Sequence, residues 1–416
     1  AGRAGGRGIG PRPPQGEAPQ GHRNPNPCPH YRKCGGCQLQ NMTYPQQLIW
    51  KQRQVERLLG QYAPVQQILG MEHPYHYRNK VQAAFAYDRK RRRIISGVYQ
   101  SSTHLLVPLD SCPIEDRTAD AIIVTVRELL KAFGLTAYDE LSGRGLLRHV
   151  LVKRGFSSSQ VMVVLVTATP VFPSRNRFVE ALCQRHPEIT TVLQNVNPQF
   201  TSLVLGEREK VLYGPGFIED TLCGLTFQIS AKSFYQINPV QTEVLYGKAM
   251  EYAALTGRER VIDAYCGIGT IGLVAAKRAG QVLGVENNRE AVGDAIQNAR
   301  RNNIQNARFL CADAGEFCQE LAQAGEQADV VFMDPPRAGS SRQFLESLAR
   351  LAPRRVVYIS CNPETQARDL AVLVKHGYRV KKLQPVDMFP HTSHVETVVL
   401  LSKLNTKQHI EVELNL

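Results

Sequence analysis

The second half of the chain alternates short apolar runs with helical segments, and no other feature constrains the fold as strongly. The runs after Asn238 are Val261–Ile262, Val282–Val285, Phe309–Leu310, Val330–Met333 and Val356–Ile359. Such an alternation is typical of a mostly parallel sheet with helices on both faces, which binds ligands outside the carboxyl ends of its strands. We therefore expect a doubly wound, Rossmann-like α/β domain over residues 231–416.

The charge of the chain favours a polyanionic partner. Among its 416 residues, 50 Lys and Arg outnumber 37 Asp and Glu, which gives a formal net charge of +13. Nucleic acid is the first candidate for such a partner. The basic run Arg89–Arg93, between two short strand patterns, is either a solvated hairpin turn or a contact to RNA phosphates.

Membrane and secretory signals are missing from the sequence pattern. No apolar stretch is long enough to cross a membrane or to form a secretory signal. We therefore expect a cytoplasmic monomer without a membrane partner. In that compartment the ten cysteines are thiols, metal ligands or nucleophiles.

The first half of the chain divides into three parts by composition. Residues 1–27 are rich in Gly, Pro and Arg, so we expect a disordered tail, interpreted as a linker in preference to a basic arm. Residues 28–118 combine a cysteine cluster, a helical pattern and the basic run, and form the expected metal- and RNA-binding segment. Residues 119–230 contain a helix at Ala119–Phe133 and a hairpin around residues 155–159, typical of an α+β domain.

A glycine-rich loop follows the first predicted strand of the α/β domain. Residues Asp263–Gly272, DAYCGIGTIG, lead from a strand into a helix, where glycines let the backbone approach a ligand. Glu286 ends the next strand and can accept both hydroxyls of a ribose, as it would for a nicotinamide cofactor. Asp263 and Asp313 add acidic residues at two more strand ends. This favours a ligand with a positive charge and an adenosine, S-adenosylmethionine, and a purely structural glycine turn is the alternative.

Two further strand ends carry residues suited to chemistry. Asp334 follows the fourth strand and Cys361 the fifth, so both should face the same crevice. A lone cysteine after a strand is more often a small buried apolar residue. Here Asn362 and Pro363 place Cys361 at the head of a helix, where the helix dipole favours a thiolate, and we therefore expect a nucleophile.

Four motifs together resemble the S-adenosylmethionine-dependent RNA uracil-5-methyltransferases, in the iron–sulfur branch that modifies 23S rRNA. The motifs are Asp263–Gly272, Asp334–Arg337 (DPPR), Ser360–Pro363 (SCNP) and Phe389–Glu396 (FPHTSHVE), and the resemblance extends from Cys28 to Leu404. It implies that Cys361 is the nucleophile and Glu396 the base. The residues that it places around the cofactor are Gln236, Tyr265, Thr270, Glu286, Asp313 and Asp334. Where members of this branch commonly carry a small β-barrel module, this chain has the Gly/Pro/Arg-rich tail.

The chemistry of uracil explains these residue types. Carbon 5 is too poor a nucleophile to take a methyl group until a thiolate adds at carbon 6, and a carboxylate must later remove the proton from carbon 5. RNA cytosine-5 enzymes generally have a second cysteine within the motif at Asp334–Arg337, and amino-adenine enzymes have an aromatic residue in place of Arg337. Uracil is therefore the preferred base. A dehydrogenase, or a non-catalytic RNA-binding protein, would leave Cys361 and Glu396 without roles.

Four cysteines have the spacing of a metal site. Cys28, Cys34 and Cys37 form C-x5-C-x2-C, and Cys112, followed by proline, is the expected fourth ligand from a distant segment. Zinc ribbons more often pair two C-x2-C motifs, so the spacing favours a [4Fe-4S] cluster over zinc or free thiols. The resemblance implies the same iron–sulfur cluster, which would fix the N-terminal segment to the RNA-binding face.

Overall fold

The computed structural model describes residues 23–100, 103, 105–201 and 203–404. Most of the tail expected over residues 1–27 lies outside the described residues. The described chain forms two seven-stranded sheets and a separate two-stranded hairpin.

Helices and strands follow one another along the described chain. The helices are α1 (Tyr31–Cys34), α2 (Tyr44–Leu59), α3 (Arg117–Ala132), α4 (Arg175–Arg185), α5 (Pro239–Ala253), α6 (Thr270–Ala276), α7 (Arg289–Arg301), α8 (Ala314–Gln323), α9 (Arg342–Leu351) and α10 (Pro363–Lys375). The strands are β1 (Lys80–Asp88), β2 (Arg93–Tyr99), β3 (Leu106–Pro108), β4 (Leu147–Arg154), β5 (Val161–Thr167), β6 (Ile189–Val196), β7 (Arg208–Tyr213), β8 (Ile218–Leu222), β9 (Leu225–Ile229), β10 (Arg260–Ala264), β11 (Gln281–Glu286), β12 (Ala307–Cys311), β13 (Val330–Met333), β14 (Arg355–Ser360), β15 (Tyr378–Val386) and β16 (Glu396–Lys403). Within the described ranges, none of the helices is long and apolar enough to cross a membrane.

The first sheet joins residues on both sides of the boundary that we expected at residue 118. Its strand order is β3-β2-β1-β4-β5-β6-β7, with β5 and β6 parallel and the other neighbours antiparallel. Because β1 pairs with both β2 and β4, the N-terminal strands and the central α+β region share one sheet and one apolar core. The β1–β2 turn carries the basic run, and β4–β5 is the expected hairpin.

Helix α3 covers this sheet because its apolar residues recur at helical spacing. Ile122, Val126 and Leu129 are buried in the core that the helix shares with the strands. The helix begins after Asp116, whose Oδ1 accepts a hydrogen bond from Ala119 N at 3.0 Å and so satisfies a free amide of the first turn.

The second sheet has the doubly wound architecture that the apolar alternation predicted. Its strand order is β12-β11-β10-β13-β14-β16-β15, in which the first five strands are parallel and β16 is antiparallel to both neighbours. Alternate residues of β13 enter opposite cores: Val330 and Phe332 pack with α5, α6 and α7, whereas Val331 and Met333 pack with α8, α9 and α10. Helices thus cover both faces, and the predicted doubly wound α/β fold of this domain is confirmed.

Helix α2, from the N-terminal segment, packs on this second sheet. Its buried Val55 and Leu59 belong to the same core as α8, α9 and α10. The chain that follows runs beside β15, where Val65 forms a bridge with Leu383. The segment expected over residues 28–118 therefore contributes to both halves of the molecule.

Candidate active site

The glycine loop turns tightly between β10 and α6. Tyr265, Gly267 and Gly269 have positive φ values of 61°, 56° and 87°, a conformation that glycine adopts without the steric cost paid by other residues. A Cβ atom at residue 269 would also come within 3.0 Å of the Phe309 ring. Glycine at position 269 therefore satisfies both the turn and the close approach of β12.

Asp263 stabilises this loop, and its side chain is closed to solvent, whereas we expected an acidic group presented to a ligand. Its side chain is fully buried, and Oδ2 accepts a hydrogen bond from Gly272 N at 2.7 Å. Burial, opposed by this hydrogen bond, raises the pKa of Asp263 to about 8. A Cβ atom at residue 272 would lie 2.8 Å from the same oxygen, so the contact requires glycine. Asp263 is a structural residue of the loop.

Glu286 and Asp313 bind backbone amides at the carboxyl edge of the sheet. The half-buried Glu286 accepts from Gly267 N at 3.1 Å and from Asn288 N at 2.9 Å, and so ties the glycine loop to β11. Asp313 is exposed and caps α8, since its Oδ1 accepts from the amides of residues 315 and 316 at 2.8 and 3.0 Å. Both carboxylates lie where the sequence predicted a ligand.

Tyr246, on α5, joins several of the expected cofactor residues. Its hydroxyl lies 2.9 Å from Thr270 Oγ1, and the Gln236 side chain lies close enough to lower the Tyr246 pKa. Burial raises the pKa of Tyr246, and the nearby Asp334 carboxylate raises it further. Sequence reasoning missed this residue because a tyrosine within an apolar helix carries no signal beyond core packing.

Tyr265, in the glycine loop, contacts residues that follow β13. Its hydroxyl donates to Ser340 Oγ at 3.2 Å, and its ring centroid lies 5.2 Å from that of Phe344. Since Ser340 follows the Asp334–Arg337 motif, the contact connects the glycine loop to the end of β13.

Cys361 and Glu396 meet at the carboxyl edge. Cys361 directly follows β14, Glu396 is the first residue of β16, and the paired residues next to them are Ser360 and Thr397. The thiol is half-buried, and only 5% of Glu396 is exposed. Both side chains interact electrostatically with Asp334. The sheet thus brings a thiol and two carboxyl groups together.

The electrostatics of Cys361 differ from our expectation. We expected the helix N-terminus to favour a thiolate, but burial, together with Glu396 and Asp334, raises the pKa of Cys361 to about 11. Arg337 opposes the shift. The neutral thiol is therefore the resting form. Burial and the two carboxyl groups destabilise the thiolate more than the N-terminus of the following helix stabilises it.

Burial also shifts the two carboxyl groups. It raises the pKa of Asp334 to about 7 and, with Asp334 as a neighbour, the pKa of Glu396 to about 8. A carboxyl group with such a pKa can hold or accept a proton near neutral pH, which is the property that a general base requires.

The four expected cluster cysteines lie near one another as free thiols. Burial raises the pKa of Cys34, and burial with Cys34 and Cys28 as neighbours raises that of Cys37 to about 12. Burial also raises the pKa of Cys112, to which Glu115 and Cys37 contribute. As the side chains stand, no group of three or more His, Cys, Asp or Glu residues in the described ranges could hold a metal ion.

Sequence comparisons identify relatives over nearly the whole chain. The profile of the tRNA (uracil-5-)-methyltransferase family matches residues 206–404. An uncharacterized RNA methyltransferase of Clostridium tetani is 43% identical over 394 residues, which are 94% of this chain and 85% of the relative. Another, from Halalkalibacterium halodurans, is 44% identical over 384 residues, 91% of this chain and 83% of the relative.

A solved structure extends the similarity to three dimensions. It is the Pyrococcus abyssi tRNA (uracil-54, C5)-methyltransferase in complex with S-adenosyl-L-homocysteine, with a TM-score of 0.74, 30% identity and coverage of 88% of this chain and 85% of that one. The fold and the site at its carboxyl edge define an S-adenosylmethionine-dependent methyltransferase. The chain belongs to the RNA (uracil-5-)-methyltransferase family. Its substrates are therefore RNA and S-adenosylmethionine, and the dehydrogenase alternative is excluded.

Proposed function

We propose that the protein methylates carbon 5 of uridine in 23S rRNA through a covalent bond between Cys361 Sγ and carbon 6 of the base. Glu396 then removes the proton from carbon 5. The observation that carries this proposal is the position of the thiol and the carboxyl group at adjoining ends of β14 and β16.

Each residue acts at a defined step. The Cys361 thiol first loses its proton to solvent. The thiolate then adds to carbon 6, and the electron pair of the C5–C6 double bond moves toward carbon 5 and the adjacent carbonyl oxygen. Carbon 5 would take the methyl group of S-adenosylmethionine, and the broken sulfur–methyl bond would leave neutral S-adenosylhomocysteine. The Glu396 carboxylate accepts the proton of carbon 5, the double bond re-forms, and the C6–S bond breaks to release the Cys361 thiolate.

The electrostatics of the site favour this order of events. A bound sulfonium would bring a positive charge toward Asp334, and opposite charges favour the ionised forms of carboxyl groups. Arg337 is the positive group near Cys361, and it promotes deprotonation of the thiol, whereas the acidic groups at the carboxyl edge oppose it. Glu396 remains shielded from solvent, where it can receive a proton from carbon 5.

The residues proposed to hold S-adenosylmethionine surround the glycine loop. They are Gln236, Tyr265, Thr270, Glu286, Asp313 and Asp334. Tyr246 supports Thr270 through a hydrogen bond and has the Gln236 side chain as a neighbour. The Glu286 carboxylate already binds two amides, so a ribose would share or replace those bonds.

We also propose that Cys28, Cys34, Cys37 and Cys112 hold a [4Fe-4S] cluster. The thiols are near enough to shift one another's pKa upward, a penalty that metal binding removes because the thiolate is the ligand. The Gln40 side chain lies beside Cys37, where it favours the thiolate. The buried Gln40 Nε2 has no hydrogen-bond partner among the described residues. An amide in this position suits a sulfur of a cluster.

The choice of RNA can be tested directly. The names of the matching family and of the Pyrococcus abyssi protein both specify tRNA as the substrate. Transfer RNA is therefore the second candidate. Mass spectrometry of 23S rRNA and tRNA from cells with and without the protein should show loss of 5-methyluridine from 23S rRNA alone. Loss from tRNA alone would replace the proposed substrate, and loss from neither would contradict uridine methylation.

A further inference from the structure

The segment from Asp387 to His391 connects β15 to the strand that begins with Glu396. It has no regular secondary structure, yet each of its five carbonyl oxygens accepts a hydrogen bond from another part of the chain. The donors, in the order of the carbonyls, are Gln241 Nε2, Asn238 Nδ2, Lys51 Nζ, Tyr77 Oη and Leu39 N. Since buried backbone groups need partners, these donors determine the path of the segment.

Lys51, on α2, contributes the charged contact. Its Nζ lies 2.6 Å from Asp387 Oδ1 and 3.0 Å from the carbonyl oxygen of Phe389, and neither charged side chain has solvent exposure. Tyr44, the first residue of the same helix, donates from its Oη to Asp387 Oδ2 at 2.8 Å. A pair buried so completely holds its geometry because breaking it leaves an uncompensated charge.

Gln47, one turn before Lys51, fixes His391. Its Oε1 accepts from His391 N at 2.9 Å, and its Nε2 lies 3.1 Å from Nδ1 of the ring. His391 Nε2 lies 2.9 Å from the Pro74 carbonyl oxygen, which can only accept, so Nδ1 accepts from Gln47. The residue has a positive φ of 70°, a conformation that persists only where the surroundings impose it.

We infer that α2 positions the catalytic base: Lys51 and Gln47 hold the segment Asp387–His391 and thereby fix the start of β16, where Glu396 lies. This inference rests on the proposed role of Glu396. Lys51 and Gln47 are fully buried and reach the site only through this segment, so they are positioning residues. Their effect should fall on the step that uses the base, after the methyl group has been transferred.

The test compares methyl transfer with release of the RNA. Lys51→Met leaves Asp387 unpaired, so a second variant, Lys51→Met with Asp387→Asn, removes both charges and keeps an acceptor for Tyr44. In single-turnover reactions we expect the double variant to methylate within a few fold of the wild-type rate. Release of methylated RNA from Cys361 should be at least tenfold slower, so that a covalent complex accumulates on denaturing gels. Arg185→Met, which removes an exposed pair with Glu128, is the control and should release RNA normally.

The outcomes separate the inference from the function on which it rests. If wild-type protein forms no covalent complex with RNA containing 5-fluorouridine, the proposed function fails. If wild-type protein forms that complex but the folded double variant releases methylated RNA at the wild-type rate, the positioning role is overturned. Loss of methyl transfer itself in the double variant would also overturn it, because a general structural role predicts that result.

Discussion

Cys361 and Glu396 lie at adjoining ends of two antiparallel strands, because Ser360, which precedes the thiol, pairs with Thr397, which follows the carboxyl group. The parallel strands alone would deliver only strand ends followed by helices to this edge. The reversed direction of β16 delivers a strand beginning, and with it a buried carboxyl group beside the thiol. The proposed nucleophile and the proposed base thus come from the same pair of hydrogen-bonded strands.

Cys361→Ala should reduce the rate of uridine methylation by more than about a thousandfold, because no other group in the proposed scheme can activate carbon 5. The variant should also form no covalent complex with 5-fluorouridine RNA on denaturing gels. Binding of S-adenosylmethionine, measured by equilibrium dialysis, should persist through Glu286 and Asp334. Cys311→Ala, which removes an exposed thiol, should behave as wild type. Turnover by Cys361→Ala would show that the nucleophile is wrong.

Glu396→Gln should still permit addition and methyl transfer but slow the release of RNA by at least about a hundredfold. Methylated RNA should therefore remain bonded to Cys361 and survive denaturing electrophoresis. His391 is a poor substitute base, since burial lowers its pKa to about 4 and Gln47 occupies its Nδ1. Normal turnover by Glu396→Gln would assign the proton to another acceptor.

The reactivity of the free enzyme should depend on pH through Cys361. Because its pKa is raised to about 11, the thiolate is scarce at pH 7, and alkylation by iodoacetamide should rise with pH up to pH 9. The rise should be less than about tenfold per pH unit, since Asp334 and Glu396 ionise in the same range and oppose the thiolate. Glu396→Gln removes a neighbour that becomes negative above its own pKa of about 8, so above that pH the variant should be alkylated faster than the wild type. Peptide mass spectrometry separates Cys361 from the other thiols, and a flat profile would contradict the electrostatics of the site.

Protein purified without oxygen should be brown and contain about four iron and four sulfide per chain, as a cubane cluster requires. Cys37→Ala should lose the iron and destabilise the N-terminal segment, since metal binding and folding are coupled. Cys183→Ala, which changes a half-buried thiol away from the four cysteines, is the matched control and should retain the metal. Stoichiometric zinc without sulfide would rule out an iron–sulfur cluster.

RNA affinity should fall steeply with salt, because each neutralised phosphate releases counterions. Replacing Arg91, Arg92 and Arg93 by Ser should reduce the salt slope by about 2 if all three contact phosphates. Arg350→Ser with Arg354→Ser removes charge near the opposite edge of the catalytic sheet and should leave the slope nearly unchanged. An unchanged slope in the first variant would make the β1–β2 turn a solvated surface only.

The sequence predicted those features that depend on residues close together in the chain. It did not predict features that depend on contacts between residues far apart in the chain. The parallel strands and the β4–β5 hairpin were evident because each has its own apolar pattern. The sheet shared by β1 and β4 was not, since strand pairing leaves no local signal. The prediction that Cys361 rests as a thiolate was wrong for the same reason. The helix that follows Cys361 favours a thiolate, but Glu396 and Asp334, which lie on or after other strands, disfavour it. Tyr246 and Lys51 look like ordinary helix residues until their partners are known.

The contacts of α2 also affect how the enzyme is made. Lys51 and Asp387 are 336 positions apart in the chain, and Gln47 and His391 are separated by 344. Each doubling of a loop's length costs only about 0.6 kcal/mol, so this separation is inexpensive in stability, but contacts so distant in sequence form late and slow the folding of the chain. During synthesis, α2 emerges from the ribosome long before its partners exist. We therefore expect the nascent chain to acquire its catalytic base only in the last step of maturation, after its first and last parts have met.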